Sequence, residues 1–293
     1  MNCQVIKIKT PKKYLLDALY FGPLKADRLF IFIHGLGSNL FSKIDLFESL
    51  VDKKTAVLAF NNRGYGAINR VSREDKRTTK GYINHTIGFS HETFSDCVDD
   101  LEGAVNFALK TKAKSIFLIG HSTGCQKTVY YLAKKQKSPA QGAILLAPMS
   151  DYASMFFNTK GTLYKKLITI ASKMVLTKKG KELMPSHLWP APVDAQRFLS
   201  LYDPSSEEEI FSYASSKKPI ILQKVKKPLL VILAGKEECK DRPISKIAAW
   251  FKSAIDSNKS EVEIIPGASH GFNGFNKDIK KLINNWLKLN NLK

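Results

Sequence analysis

The chain has 293 residues, 44% of them hydrophobic, 10% aromatic and 25% charged. This balance excludes collagenous, disulfide-scaffold and globally disordered classes and supplies enough apolar side chain for one sizeable core. Its 46 Lys and Arg against 26 Asp and Glu give a net charge of +20, which raises the question of an anionic partner. The lysines cluster at 7–13, 110–114, 134–137, 217–227 and 277–293, and none of these clusters alternates with stacking aromatics. No nucleic-acid partner is therefore expected. Residues 1–9 hold no apolar signal core, and no apolar run approaches bilayer-spanning length, so no membrane insertion is expected. Cys3, Cys97, Cys125 and Cys239 are scattered without a Cys-x-x-Cys pair and read as free thiols of a cytoplasmic protein.

In chain order, short and mostly unalternated apolar runs at 29–33, 55–60, 115–119, 142–147, 229–234 and 261–265 predict strands buried on both faces. Three-to-four spacing predicts helices at 94–109, 123–134, 244–255 and 278–289. The alternation predicts an α/β fold with a mostly parallel central sheet flanked by helices. From about 152 to 227 the rhythm breaks: the segment is Lys-rich, carries Phe156, Phe157, Tyr164, Trp189 and Phe198, and holds four prolines, Pro185, Pro190, Pro192 and Pro204. It reads as a helical cap inserted between two parts of one core, 1–151 and 228–293.

The stretch Ser115-Ile116-Phe117-Leu118-Ile119 runs into Gly120-His121-Ser122-Thr123-Gly124 and then into a helical pattern. Strand, Gly-x-Ser-x-Gly and helix together are the setting of a nucleophile elbow, in which a strained turn exposes the serine hydroxyl above a helix N-terminus. Acyl transfer also needs N–H donors for the oxyanion, and the glycine-rich turn His34-Gly35-Leu36-Gly37 follows an apolar strand. By position the donors are the amides of Leu36 and Thr123. Of the six histidines, His270 sits in Pro266-Gly267-Ala268-Ser269-His270, a loop directly after the last strand, where a general base can reach the serine. His121 should point away from Ser122, His34 belongs to the oxyanion turn, and His85, His91 and His187 lie away from predicted strand ends.

The loop Gly235-Lys236-Glu237-Glu238-Cys239-Lys240-Asp241 offers three carboxylates to orient His270. Glu237 is favoured, with Glu238 as the alternative, and Asp241 reads as a helix N-cap. The runs Asp99-Asp100 and Glu207-Glu208-Glu209 read as solvated charge. With no His-Glu-x-x-His, Walker loop or Gly-x-Gly-x-x-Gly, neither a metal nor a cofactor is expected.

These motifs, with Asn62-Arg63-Gly64-Tyr65-Gly66, resemble the α/β-hydrolase superfamily over nearly the whole chain outside the insertion. Residues 120–126, Ala147-Pro148-Met149-Ser150-Asp151 and Arg197-Phe198-Leu199-Ser200-Leu201 look like a branch that includes fungal siderophore esterases of the fusarinine C type. The resemblance implies a serine hydrolase acting on a small-molecule carboxylic ester. Relatives usually carry Asp where this chain has Glu-Glu. Asp151 is either close to the pocket or the N-cap of the insertion's first helix. The fold leaves lactone, thioester, amide or carbon–carbon bond hydrolysis, and a non-catalytic ligand receptor, as alternatives.

Overall fold

The computed structural model describes residues 3–255 and 258–292. One ten-stranded sheet organises them. Its parallel part consists of β3 (Arg28–Ile33), β4 (Thr55–Phe60), β7 (Ser115–His121), β8 (Gly142–Leu146), β9 (Leu229–Ala234) and β10 (Glu261–Ile265), the six runs expected. An antiparallel part, not anticipated, adds β1 (Cys3–Lys9), β2 (Tyr14–Phe21), β5 (Asn69–Glu74) and β6 (Tyr82–Ile87). The strand order is β10-β9-β8-β7-β3-β4-β2-β5-β6, with β1 paired to β2.

The central strands are buried on both faces because helices cover both. On β3, Leu29, Ile31 and Ile33 face one core with α2 (Cys97–Lys110), α3 (Thr123–Lys134) and α8 (Ile244–Ala254). The intervening Phe30 and Phe32 face the other core with α1 (Ile44–Leu50) and α9 (Asn276–Leu289), whose Trp286 is fully buried. Period-two alternation thus divides one apolar run between two cores, and this is why the run carries no polar residue.

Between β8 and β9 lie α4 (Asp151–Asn158), α5 (Gly161–Leu176), α6 (Ala195–Tyr202) and the short α7 (Ile220–Gln223). Met155, Tyr164, Leu167, Ala171, Met184, Val193, Ala195 and Phe198 form a third apolar cluster of their own. Ile210, Phe211, Tyr213, Leu222 and Val225 instead join the core of the sheet. The helix α4 is capped by Ser150, whose Oγ accepts the Ala153 N–H, so Asp151 is the first helical residue and not the N-cap. Asp241 does not cap α8 either. It pairs with Arg242, and Pro243 occupies the cap position.

Of two charge runs expected to be solvated, Asp99-Asp100 is buried whole and the other in part, Glu207 being exposed and Glu208 and Glu209 buried. Asp99 and Asp100 hold Arg63, with Nη2 to Asp99 Oδ2 at 3.1 Å and Nε to Asp100 Oδ1 at 2.7 Å. Arg63 follows β4 at the end where α2 begins, so both acids also complement the N-terminus of their helix. Glu208 and Glu209 are likewise enclosed: Glu208 pairs with Arg197 of α6, and Glu209 accepts from the Ser150 hydroxyl at 2.6 Å. Each burial has a partner far away in sequence, which a local charge run does not reveal.

Candidate active site

Ser122 sits between β7 and α3 with φ 54° and ψ −128°, a conformation an L-residue adopts only when its surroundings impose it. The imposition comes from close packing. A Cβ on Gly124 would stand 2.2 Å from the Ile33 carbonyl oxygen, so only glycine lets α3 leave the strand so near β3. The Ser122 N–H donates to the Leu146 carbonyl at 3.0 Å, which fixes the turn to β8. No hydrogen bond holds the Ser122 hydroxyl among the described residues, and it lies above the N-terminus of a twelve-residue helix.

The glycine turn after β3 meets this elbow. A Cβ on Gly35 would come within 2.9 Å of Ser122 Cβ. The amides of Leu36 and Thr123, which follow Gly35 and Ser122 in the chain, donate to no group among the described residues. His34 supports the turn from beneath: it is fully buried, and its Nδ1 and Nε2 engage the Gly35 carbonyl at 2.9 Å and the Asn62 N–H at 3.2 Å. Burial, reinforced by Lys127, lowers the His34 pKa to about 3, so the ring is neutral and structural.

Because β9 and β10 are parallel neighbours in register, their carboxyl ends open side by side. The Gly235 N–H donates to the Ile265 carbonyl at 2.9 Å and the Lys236 N–H to the Ala268 carbonyl at 2.8 Å, stitching the two loops together. The two candidate acids then divide. Glu237, 2% exposed, places Oε1 and Oε2 at 2.8 and 2.9 Å from His270 Nδ1. Its Oε1 also accepts the Cys239 N–H at 3.0 Å. Glu238 is exposed and touches the main chain instead, accepting the His270 N–H at 2.7 Å. A carboxylate placed as Glu237 is keeps the imidazole proton on Nδ1 and leaves Nε2 as the acceptor.

His121 contributes what its position alone concealed. Its Nε2–H donates to the His270 carbonyl at 3.0 Å, and the two rings lie 5.3 Å apart, so the residue before Ser122 anchors the loop that carries His270. Desolvation, with Lys43 nearby, lowers the His121 pKa to about 3 and keeps it a neutral donor. Lys43 itself donates to the Gly271 carbonyl, a second tie on the same loop. His85 lies within β6, and His91 follows that strand and pairs at 3.0 Å with Asp194, the N-cap of α6, so neither joins the Glu237–His270 pair.

The remaining motif residues meet as well. Gln126 of α3 donates to the Met149 carbonyl and to Asp151 Oδ2, each at 2.9 Å. Asp151 lies within electrostatic reach of His270, and desolvation, reinforced by Glu208 and Glu209, pushes its pKa up to about 8. Arg197, fully buried, bridges Glu92 at 2.8 Å and Glu208, while Lys127 of α3 meets Glu92 at 2.5 Å. That chain of charges fastens α6 to the elbow helix.

Sheet order, elbow and loop placement define the α/β-hydrolase fold. The same fold is seen in an α/β hydrolase, GrgF from Penicillium sp. sh18, at 16% identity, TM-score 0.66 and 99% coverage of both chains. Est1E from Butyrivibrio proteoclasticus, solved with bound ferulic acid, is similar at 15% identity and TM-score 0.65, over 98% of this chain and 100% of that one. The chain belongs to the DUF1749 family, described as proteins of unknown function, whose sequence profile matches residues 23–289. It is also 31% identical over 141 residues to "Putative esterase/lipase 2" of Mycoplasma genitalium, a match spanning 48% of this chain and 45% of that relative. Among the described residues no helix is long and apolar enough to cross a membrane.

Proposed function

We propose that this protein is a serine hydrolase that cleaves small-molecule carboxylic esters through an acyl-enzyme. The observation that carries the reading is the enclosed Glu237 carboxylate at 2.8 and 2.9 Å from His270 Nδ1, on a loop tied to His121, the residue that precedes the strained Ser122. Ser122 Oγ attacks the acyl carbon while its proton passes to His270 Nε2. The oxyanion accepts from the Leu36 and Thr123 amides, and Glu237 stabilises the imidazolium. Nε2 then gives its proton to the leaving alkoxide, the alcohol departs, and water activated by the same nitrogen releases the acid and restores Ser122.

Asp151, mostly protonated at neutral pH, adds no competing negative charge next to the dyad. The aromatic cluster of α4 to α6, in which Trp189 packs on Phe198 and Tyr202, supports a cap that roofs an acyl or aryl pocket. The esterase descriptions of the Mycoplasma relative and of the Pyrococcus furiosus esterase Pf2001, similar in fold, favour esters over other bonds. Four unpaired cysteines fit a reducing, cytoplasmic setting. The test is turnover of p-nitrophenyl esters of graded chain length, together with aryl and hydroxamate-bearing esters. Ser122→Ala reduces the rate to near background, and full turnover in that variant overturns the mechanism.

A further inference from the structure

We propose that Glu237, Cys239 and His270 form a binding site for Zn2+ and that its occupancy turns the enzyme off. The inhibitory half of this proposal rests on the hydrolase reading above, whereas the binding half does not. A carboxylate oxygen of Glu237, Cys239 Sγ and His270 Nδ1 all lie within 4.8 Å of one another. The turn that brings them together is set by the main chain, because the Cys239 N–H donates to Glu237 Oε1 at 3.0 Å and so folds residue 239 back over residue 237. Glu237 is buried while Cys239 and His270 are half-buried, which leaves the thiol side open to solvent.

Oxygen, sulfur and nitrogen in one cluster are a donor set that suits zinc, whereas Mg2+ and Ca2+ favour oxygen alone. Tetrahedral bonding at zinc's usual bond lengths separates the donors by about 3.5 Å, so closure asks the three side chains to move by only about 1 Å. A water completes the fourth position. Thiolate and carboxylate together supply two negative charges against the two positive charges of the ion.

Binding and catalysis compete for one atom. Zinc takes the lone pair of Nδ1, so the ring proton shifts by way of solvent from Nδ1 to Nε2, while the thiol gives its own proton up to solvent. The neutral ring then keeps its one proton on Nε2, the nitrogen that must accept from Ser122. An imidazole in that tautomer is no base for Ser122, and Glu237 is drawn onto the metal at the same time. The sequence concealed this site because its ligands are Glu-x-Cys in one loop and a histidine more than thirty positions on, unlike any local metal motif.

The test uses the tag-free full chain, freed of metal and kept without chelating reductants. Zinc sulfate is titrated calorimetrically and against ester turnover, and Co2+ replaces zinc for absorption spectroscopy. The expected result is one zinc per chain, at least a tenfold loss of turnover restored by EDTA, and a thiolate-to-cobalt charge-transfer band. Cys239→Ala, and Cys239→Ser as a second variant in case the first misfolds, remove the band and weaken zinc at least about tenfold. Each variant is compared with its own zinc-free rate. Ser122→Ala binds zinc as the parent does. If the cobalt band appears and depends on Cys239 while no ester is turned over, the metal site stands and the hydrolase reading falls. If turnover depends on Ser122 but zinc neither inhibits nor binds through Cys239, the metal proposal is overturned.

Discussion

Replacing Glu237 by Gln keeps the shape of the side chain and removes its charge, and the effect follows from what its two oxygens do. Both lie within 2.9 Å of His270 Nδ1, and one also holds the Cys239 N–H. A carboxamide can still accept from Nδ1–H through its oxygen. It can equally present its NH2, which favours the proton on Nε2 and leaves Ser122 without a base. In either orientation the imidazolium of the transition state loses its counter-charge. Comparable neutralisation of a triad acid costs about 10,000-fold in kcat, so we expect a loss of about a thousand-fold to ten-thousand-fold, roughly 4–5.5 kcal/mol of barrier. KM should move little, because Glu237 touches no substrate. Glu238→Gln tests the same loop differently. Glu238 is exposed and accepts from main-chain N–H groups, that of His270 at 2.7 Å, rather than from the imidazole, so its loss should cost less than about tenfold. Steady-state kinetics of the two variants on one activated ester settles the matter. A larger loss in Glu238→Gln, or losses below tenfold in both, would refute the assignment of Glu237 as the orienting acid.

Other consequences are open to direct measurement. Arg197→Met leaves Glu208 buried without its cation and Glu92 with Lys127 alone, and urea unfolding should show about 3–5 kcal/mol of lost stability. A change below 1 kcal/mol would mean that the charge chain does not fasten α6. Asp151, with its pKa pushed up to about 8, keeps its proton in the folded chain where an unfolded aspartate, ionising near ~3.9, has lost it. Stability owed to Asp151 therefore falls as pH rises between those values. Asp151→Asn should gain on the parent across that window, by at most about 1.4 kcal/mol per pH unit, and parallel stability profiles would contradict the shift. His121→Ala removes the donor to the His270 carbonyl and should lower kcat by about tenfold. The pH inflection of the rate should stay in place, since a ring with a pKa of about 3 does not titrate in the working range.

The parallel half of the sheet was legible because helices cover both of its faces, so strands such as Thr55–Phe60 are apolar throughout and stand out as runs. The antiparallel half was hidden for the opposite reason. Cys3–Lys9 is mostly exposed and mixes Lys with Ile, and Asn69–Glu74 is polar at nearly every position, so neither resembles a core strand. Ser122, Leu36, Thr123 and His270 could be nominated as candidates because strand, glycine turn and helix constrain where a side chain can go. Counting along the strand favoured Glu237 over Glu238, and it is Glu237 that meets the imidazole, but adjacent loop residues point apart and the stitching of the β9 and β10 loops fixes which one does. Asp99, Asp100, Glu208 and Glu209 were misread as solvated because their partners, Arg63, Arg197 and Ser150, lie elsewhere in the chain. His121 was discounted for pointing away from Ser122, although that direction carries it to the His270 loop.

The central claim is that Ser122 is an activated nucleophile, and a fluorophosphonate probe followed by peptide mass mapping tests it most directly. The account predicts one stoichiometric adduct on the peptide bearing Ser122, abolished by Ser122→Ala and slowed strongly by His270→Ala. An adduct on another residue, or labelling of Ser122 that proceeds at the same rate without His270, would contradict it.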